Sequence, residues 1–188
     1  TVLSAFADKD PTLAIDLYLL NPDLASQFPS SEIAHILNIY SPDDANRILE
    51  KLPDKERQGT IHAMLRSKDL DWDIADCLIL YESLDARYRD MPAEGISARL
   101  AEADPQAAVT WALSQPEGQI RNSSVSGLID SWADSDPVAA AEWVNGLGSS
   151  DLRNTASWKL ADTLADQGDF PSAIAWASAG PDPEGRLG

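Results

Sequence analysis

Small and large apolar residues return along the chain at a period close to 32 residues. If Pro11 is the first position of one unit, the corresponding positions are Pro42, Asp73, Pro105, Pro137 and Phe170. A small residue lies three positions later in five of the six units: Ala14, Ala45, Ala108, Ala140 and Ala173. A large apolar residue lies six positions later in every unit: Leu17, Ile48, Ile79, Trp111, Trp143 and Trp176. Apolar positions three apart, with others one turn further on, predict a helix with one buried stripe.

Each of these short helices carries start and stop signals. Four units place a side-chain oxygen directly before a proline, at Asp10, Ser41, Asp104 and Asp136. Such an oxygen can cap a free backbone N–H, and proline is well tolerated at the first helical position. A proline or glycine eleven positions into five of the units predicts the helix end: Pro22, Pro53, Pro116, Gly148 and Pro181. A helix of about ten residues is marginal alone in water, so we expect it to pack against neighbours.

A second helix fills the rest of each unit. The clearest segment in the front half is KERQGTIHAMLRS (55–67), and its later counterparts are RNSSVSGLIDSWA (121–133) and RNTASWKLADTLA (153–165). In the first unit Pro29 and Ser30 delay the start, so SEIAHILNIY (31–40) is expected to form the helix. In the third unit Pro92 predicts that the helix starts or kinks there. No window alternates like a strand between hairpin signals. The sequence therefore predicts an all-α fold of helix pairs stacked in one dimension.

Both ends of the sequence fall inside a unit. TVLSAFADKDP (1–11) aligns without gaps with GLIDSWADSDP (127–137), which places Thr1 within a second helix. Gly188 follows shortly after the sixth short helix. We expect residues 1–188 to form a single repeat domain, cut from a longer array and open at both ends.

One segment resembles a known family. TASWKLADTLADQGDFPSAIAWA (155–177) is similar to tetratricopeptide repeats and their Sel1-like relatives. The matching residues are Leu160, Ala161, Leu164, Gly168, Asp169, Phe170, Ala173 and Ile174. The DPxxAxxW signature also looks like repeats of uncharacterised bacterial proteins. The resemblance implies a right-handed α/α superhelix, a solenoid of about six helix pairs, with a concave face that binds proteins or peptides. It implies no catalytic residues.

The charge narrows the choice of partner. The net charge is −17, which argues against a nucleic-acid backbone and against an anionic membrane surface. A basic protein or peptide is compatible, and so is an acidic surface that only keeps the chain soluble. No stretch approaches 18 apolar residues, so we expect no membrane span.

Residue types that carry chemistry are few and scattered. Cys77 is the only cysteine and lies in an apolar run, so we expect a buried thiol. His35 and His62 show no metal-ligand spacing, and the acidic segment 69–73 lacks the glycine and glutamate of a calcium loop. Motifs for nucleophilic serine, nucleotide or dinucleotide sites are missing. The sequence predicts no catalytic, cofactor or metal site, and a protein that is not an enzyme.

Two columns of side chains allow two interpretations. Arg89, Arg121, Arg153 and Arg186 lie at one repeat position, and Arg57 lies one position earlier. They either point at the next unit's acidic helix start and lock the repeats together, or line a groove that grips carboxylates. The tryptophans of the short helices, Trp111, Trp143 and Trp176, are predicted to fill the core between repeats. Trp132 and Trp158 are predicted to show an edge at the surface.

The leading hypothesis is a non-enzymatic scaffold that binds a protein or peptide, with a basic partner favoured by the acidic side chains. The candidate partner-binding residues are Trp72, Tyr88, Arg89, Arg121, Arg153 and Trp158. One alternative is a structural spacer in a larger envelope or surface protein. A less favoured one is a hydrolase-type enzyme, which would need carboxylates that converge in a pocket.

Overall fold

The fold is described by a computed structural model, in which residues 11–20, 29–67, 69–148 and 150–179 are placed. In these ranges the regular structure is helical and contains no strand, which confirms the all-α prediction. The helices are α1 (Pro11–Leu20), α2 (Ser30–Leu37), α3 (Pro42–Leu49), α4 (Asp54–Arg66), α5 (Ile74–Ser83), α6 (Asp90–Ala103), α7 (Pro105–Ser114), α8 (Gln119–Ser135), α9 (Pro137–Gly146), α10 (Ser150–Asp166) and α11 (Phe170–Ala179). A short 3₁₀ turn, Ala86–Tyr88, precedes α6.

The predicted caps start three of the short helices. Ser41 Oγ accepts a hydrogen bond from the backbone N–H of Asp44 at 3.3 Å. Asp104 accepts from Gln106 at 2.9 Å, and Asp136 accepts from Ala139 at 3.0 Å. Each cap satisfies a backbone donor that the first helical turn leaves unpaired. The cap predicted at Asp10 lies outside the described residues.

The third unit starts one residue later than predicted. Helix α5 begins at Ile74, and Asp73 is its cap, accepting from the N–H of Asp76 at 2.9 Å. Placing Asp73 as the first helical position was therefore wrong, because its carboxylate is used outside the helix. With Ile74 as the first position, the small residue three later is Cys77, which is fully buried as expected. The same shift moves Ile79 to a solvent-facing position, where it is exposed.

Burial follows the repeat along the short helices. The small residue three positions after the start is buried in all six of them: Ala14, Ala45, Cys77, Ala108, Ala140 and Ala173. The residue seven positions after the start is buried in five: Tyr18, Leu49, Tyr81, Ala112 and Val144. One helix face, set by the i, i+4 geometry, therefore provides the contact in each unit.

Residues 1–92 form one compact unit. There α2 packs on α4, and α4 also contacts α3 and α5. Buried Gln58 of α4 accepts a hydrogen bond from the N–H of Asp85 at 2.8 Å, and this fixes the turn that follows α5.

Residues 93–188 form a second compact unit. Helix α8 packs against α7, α9 and α10, and α10 packs against α9 and α11. Val125, Leu128, Ile129, Val144 and Leu160 are completely buried in this core. Helix α6 starts at Asp90, so Pro92 lies in its first turn, where the missing N–H leaves no bond unmade. The predicted helix start near Pro92 is confirmed.

The second helices α6, α8 and α10 share one burial pattern. Residues 32 apart have the same environment: Ile96, Leu128 and Leu160 are buried, whereas Glu102, Asp134 and Asp166 are exposed. Hydrogen bonds also join residues about one period apart. Thr163 Oγ1 donates to Asp130 at 3.1 Å, and Gln167 Nε2 donates to the carbonyl of Ala133 at 3.2 Å. The period seen in the sequence thus recurs in burial and in hydrogen bonding.

Candidate functional site

Arg89 binds the end of the short helix in its own unit. Its Nε donates to the carbonyl of Leu84 and its Nη2 donates to that of Glu82, each at 2.8 Å. The guanidinium lies 5.5 Å from the centroid of the Tyr81 ring. Burial raises the pKa of Tyr81 to about 12; the charge of Arg89 works against this rise, and that of Asp90 adds to it. Arg89 therefore neutralises the carbonyl end of α5.

Arg121 does the same one unit later. Its Nε donates to the carbonyl of Gln115, the residue directly after α7, at 2.9 Å. Its Nη1 pairs with the exposed carboxylate of Glu117 at 3.2 Å. For Arg89 and Arg121, the predicted ladder to the acidic helix start of the next repeat unit is therefore wrong. The guanidinium is placed so that it reaches the carbonyls of the preceding turn first, and these attract cations strongly.

The other members of the arginine column behave differently. Arg153 is exposed, and no hydrogen bond or ion pair joins it to the described part of the chain. Arg57 pairs with Asp54 at the start of its own helix α4. Arg186 lies outside the described residues. Arg153 is thus the described member of the column whose guanidinium is open to a partner.

The tryptophans divide in an unexpected way. Trp111, Trp143 and Trp176 are half-buried, so the prediction that they fill the core holds only in part. The prediction of an exposed edge at Trp132 was wrong, since this residue is only 6% exposed. Its ring centroid lies 6.2 Å from that of Trp143, tilted by 45°. Trp132 belongs to the apolar core of the second compact unit, and its contact with Trp143 of α9 accounts for part of its burial.

Trp72 and Tyr88 are held locally in the first compact unit. The indole Nε1 of Trp72 donates to the carbonyl of Tyr40 at 3.1 Å, and the residue is half-buried. The guanidinium of Arg87 lies 5.0 Å from the centroid of the Tyr88 ring. Trp72 therefore links two successive repeats of the sequence, both within the first compact unit. This gives it a structural role whether or not it also touches a partner.

Trp158 is the large aromatic residue of α10 that faces solvent, with 49% of its surface exposed. The surface prediction for this residue is confirmed. Arg153 lies five positions before it, about 140° around the helix, so the two side chains lie on different faces. Of the six candidate residues, Trp72, Tyr88 and Arg89 belong to the first compact unit, and Arg121, Arg153 and Trp158 to the second.

A polar network beside Trp158 was not predicted. Lys159 is mostly buried, and its Nζ lies 3.0 Å from Asp130 and 3.8 Å from Asp162. Burial lowers the pKa of Lys159, but the hydrogen bond and charge of Asp130, together with Asp162 and Glu94, outweigh it and raise the pKa. The repeat could have indicated this network, because Lys159 occupies the repeat position at which the preceding unit has Gly127. A lysine in a buried column requires a carboxylate partner.

In the part of the chain that the structure describes, no three histidine, cysteine or acidic side chains come together in a way that could hold a metal ion. Within the same ranges, no helix is both long and apolar enough to cross a membrane.

Comparisons of the chain with protein-family models, with curated proteins and with solved structures found no match.

Proposed function

We propose that the chain is a right-handed α-solenoid of about six helix pairs, similar to tetratricopeptide and Sel1-like repeats, and that it acts as a non-enzymatic scaffold binding a protein or peptide segment. The observation that supports this most is the recurrence of one burial pattern at 32-residue intervals in α6, α8 and α10. Helices that repeat in this way present the same outward positions in series, and such series serve as extended binding surfaces.

The chemistry of the outward positions favours recognition over catalysis. One exposed position that recurs every 32 residues carries a carboxylate on each of the three second helices: Glu102, Asp134 and Asp166. A hydrolase that works through an acid pair would need two carboxylates that flank one scissile bond. A series of separate acids instead suits a long basic segment that makes many weak contacts.

Selection from a random peptide library displayed on phage tests the proposal. The folded chain should enrich peptides that share a sequence pattern, with arginine or lysine among the shared residues. The matched control is Leu128→Asp, which places a charge at a completely buried core position and should unfold the second compact unit. If the folded chain enriches nothing beyond this control, the binding function is contradicted and a spacer is the better interpretation.

A further inference from the structure

The surface of α10 around Trp158 differs from the same surface on the neighbouring second helices. At this repeat position α6 has Glu94 and α8 has Ser126, and both are polar and half-buried. The repeat fold therefore does not require an apolar side chain here. Trp158 leaves about half of its surface to solvent and lies outside the apolar core of the unit, to which Trp132, Trp143 and Trp176 all belong or pack. Tryptophan is enriched among the residues that contribute most to binding, so a ring that keeps half of its surface in solvent can serve as a contact for a partner.

The charges beside this ring are unbalanced. Three carboxylates act on the ammonium group of Lys159: those of Asp130, Asp162 and Glu94. Two of them, Asp130 and Asp162, lie within 4 Å of its Nζ, so the carboxylates in contact with Lys159 outnumber its single positive charge. Asp130 takes the short contact with Lys159, whereas Asp162 stays at 3.8 Å and its side chain is largely exposed. The carboxylate of Asp162 is therefore available to a second cation.

Trp158 and Asp162 are also placed to act together. They are four residues apart on α10, so their Cβ atoms lie about 5–6 Å from each other on the same helix face. A guanidinium or ammonium group over the indole face would lie within reach of the Asp162 carboxylate. The indole ring and the carboxylate would then both attract the same cation, and the two attractions would add. Lys159 already lies 3.8 Å from Asp162 within the chain, which shows that this carboxylate can approach an ammonium group.

We propose that Trp158 and Asp162 form the contact site for an arginine or lysine side chain of the protein segment that the scaffold binds. This inference rests on the proposed function and gives it a place and a chemistry. The partner is basic, and it makes its main contact on the exposed face of α10. The charge of −17 on the whole chain assists the approach of such a partner, and the Trp158–Asp162 pair selects where it docks.

Titration with a peptide of alternating arginine and glycine, both termini blocked, tests the site in the full chain. The indole N–H signals of the six tryptophans can be followed by nitrogen–proton NMR, and Trp158→Ser identifies the Trp158 signal by its loss. The Trp158 signal should move most, and that of buried Trp132 should stay in place. The same peptide with neutral citrulline in place of arginine should leave all the signals unchanged.

Binding affinities of three variants separate a local site from general attraction. Trp158→Ser should weaken binding of the arginine peptide about tenfold or more, because it removes an aromatic anchor but introduces the residue that α8 tolerates here. Asp162→Asn should weaken it about two- to fivefold. Glu142→Gln removes the same charge from an exposed position on α9 and is the matched control, with no measurable loss expected. Circular dichroism melts should show all three folded, since all three positions are exposed.

The outcomes that overturn the site are distinct from those that overturn the function. Equal losses for Asp162→Asn and Glu142→Gln, or an unchanged affinity for Trp158→Ser, would show that only net charge attracts the peptide. A different indole signal moving would place the contact elsewhere. In those cases, peptides selected by phage display would still support a scaffold that binds by another surface. Failure of both the arginine peptide and the display selection would remove the scaffold function itself.

Discussion

At the scale of single residues, one repeat position carries different roles in different units. Arg89 and Arg121 use their Nε atoms to satisfy the carbonyl that ends a short helix, whereas Arg153 extends into solvent. The sequence predicted that arginines would recur, because the column is visible in it. It could not predict which arginine finds a carbonyl, because this depends on the angle at which each turn leaves its helix.

The arginine column offers a direct comparison of stability. Arg121→Ala removes a charge-assisted hydrogen bond to a backbone carbonyl, so we expect the free energy of unfolding to fall by about 1–2 kcal/mol. Arg153→Ala is the matched control and should change it by less than about 0.5 kcal/mol. Urea denaturation monitored by circular dichroism measures both. Equal effects in the two variants would mean that the bond to Gln115 contributes nothing to stability.

His62 should make stability depend on pH. Burial lowers the pKa of His62 below its ordinary value of 6.5, the charge of Arg66 adds to this, and Asp90 opposes it. The unfolded chain therefore takes up this proton more readily than the folded chain. Stability should fall as the pH drops through about 6.5, and His62→Gln should lose this part of the dependence. Urea midpoints at pH 7.5 and pH 5.5 give the comparison, and identical pH dependence in the two proteins would contradict the assignment.

At the scale of helices, the close approach of α8 to α6 explains why position 127 is a glycine, which the apolar pattern does not. A Cβ atom added at Gly127 of α8 would overlap the backbone carbonyl of Glu94 in α6. Glycine is therefore needed here so that two second helices can touch at the backbone. The helical period predicts which face of α8 is buried, but the distance between two helix axes is set by packing and is not encoded in the period.

Gly127→Ala should consequently destabilise the chain although alanine is the better helix former. The overlap is with backbone, so the helices must separate, and we expect a loss of about 2–3 kcal/mol. Gly146→Ala is the control, since nothing lies within 4 Å of its added Cβ atom and the substitution should stabilise by up to about 1 kcal/mol. Thermal melts of both variants decide the point. A stabilised Gly127→Ala would show that α6 and α8 are not in backbone contact.

The starts of the helices differ in how well the sequence predicts them. Helix starts with a cap and a proline, at Pro42, Pro105 and Pro137, were predicted to the residue because their signals are local. The start of α5 was misplaced by one residue, because Asp73 has no proline beside it to show that it is the cap. The burial of Trp132 and the Lys159–Asp130 pair were missed because both depend on residues about ten to thirty positions away.

At the scale of the whole molecule, charge works against compactness. The sequence holds 31 acidic and 14 basic side chains, so repulsion between carboxylates exceeds the attraction that the basic residues can supply. Apart from Lys159–Asp130, the ion pairs that the described residues form join residues within four positions of each other and are mostly exposed, such as Arg47–Asp44 and Arg87–Asp85. Exposed pairs of this kind add at most about 1 kcal/mol each.

Salt should therefore stabilise this protein. Raising sodium chloride from about 10 mM to about 200 mM shortens the screening length from roughly 30 Å to under 10 Å. Long-range repulsion between the carboxylates is then largely screened, whereas ion pairs at 3–4 Å are weakened less. We expect the melting temperature at pH 7.5 to rise by several degrees.

At pH 4.2, the isoelectric point of the sequence, the net charge is near zero and the same salt step should have little effect. A melting temperature that falls with salt at pH 7.5 would mean that the exposed ion pairs outweigh the repulsion. The acidic surface would then be a stabilising network, and the free carboxylates on which recognition of a basic partner depends would be far fewer.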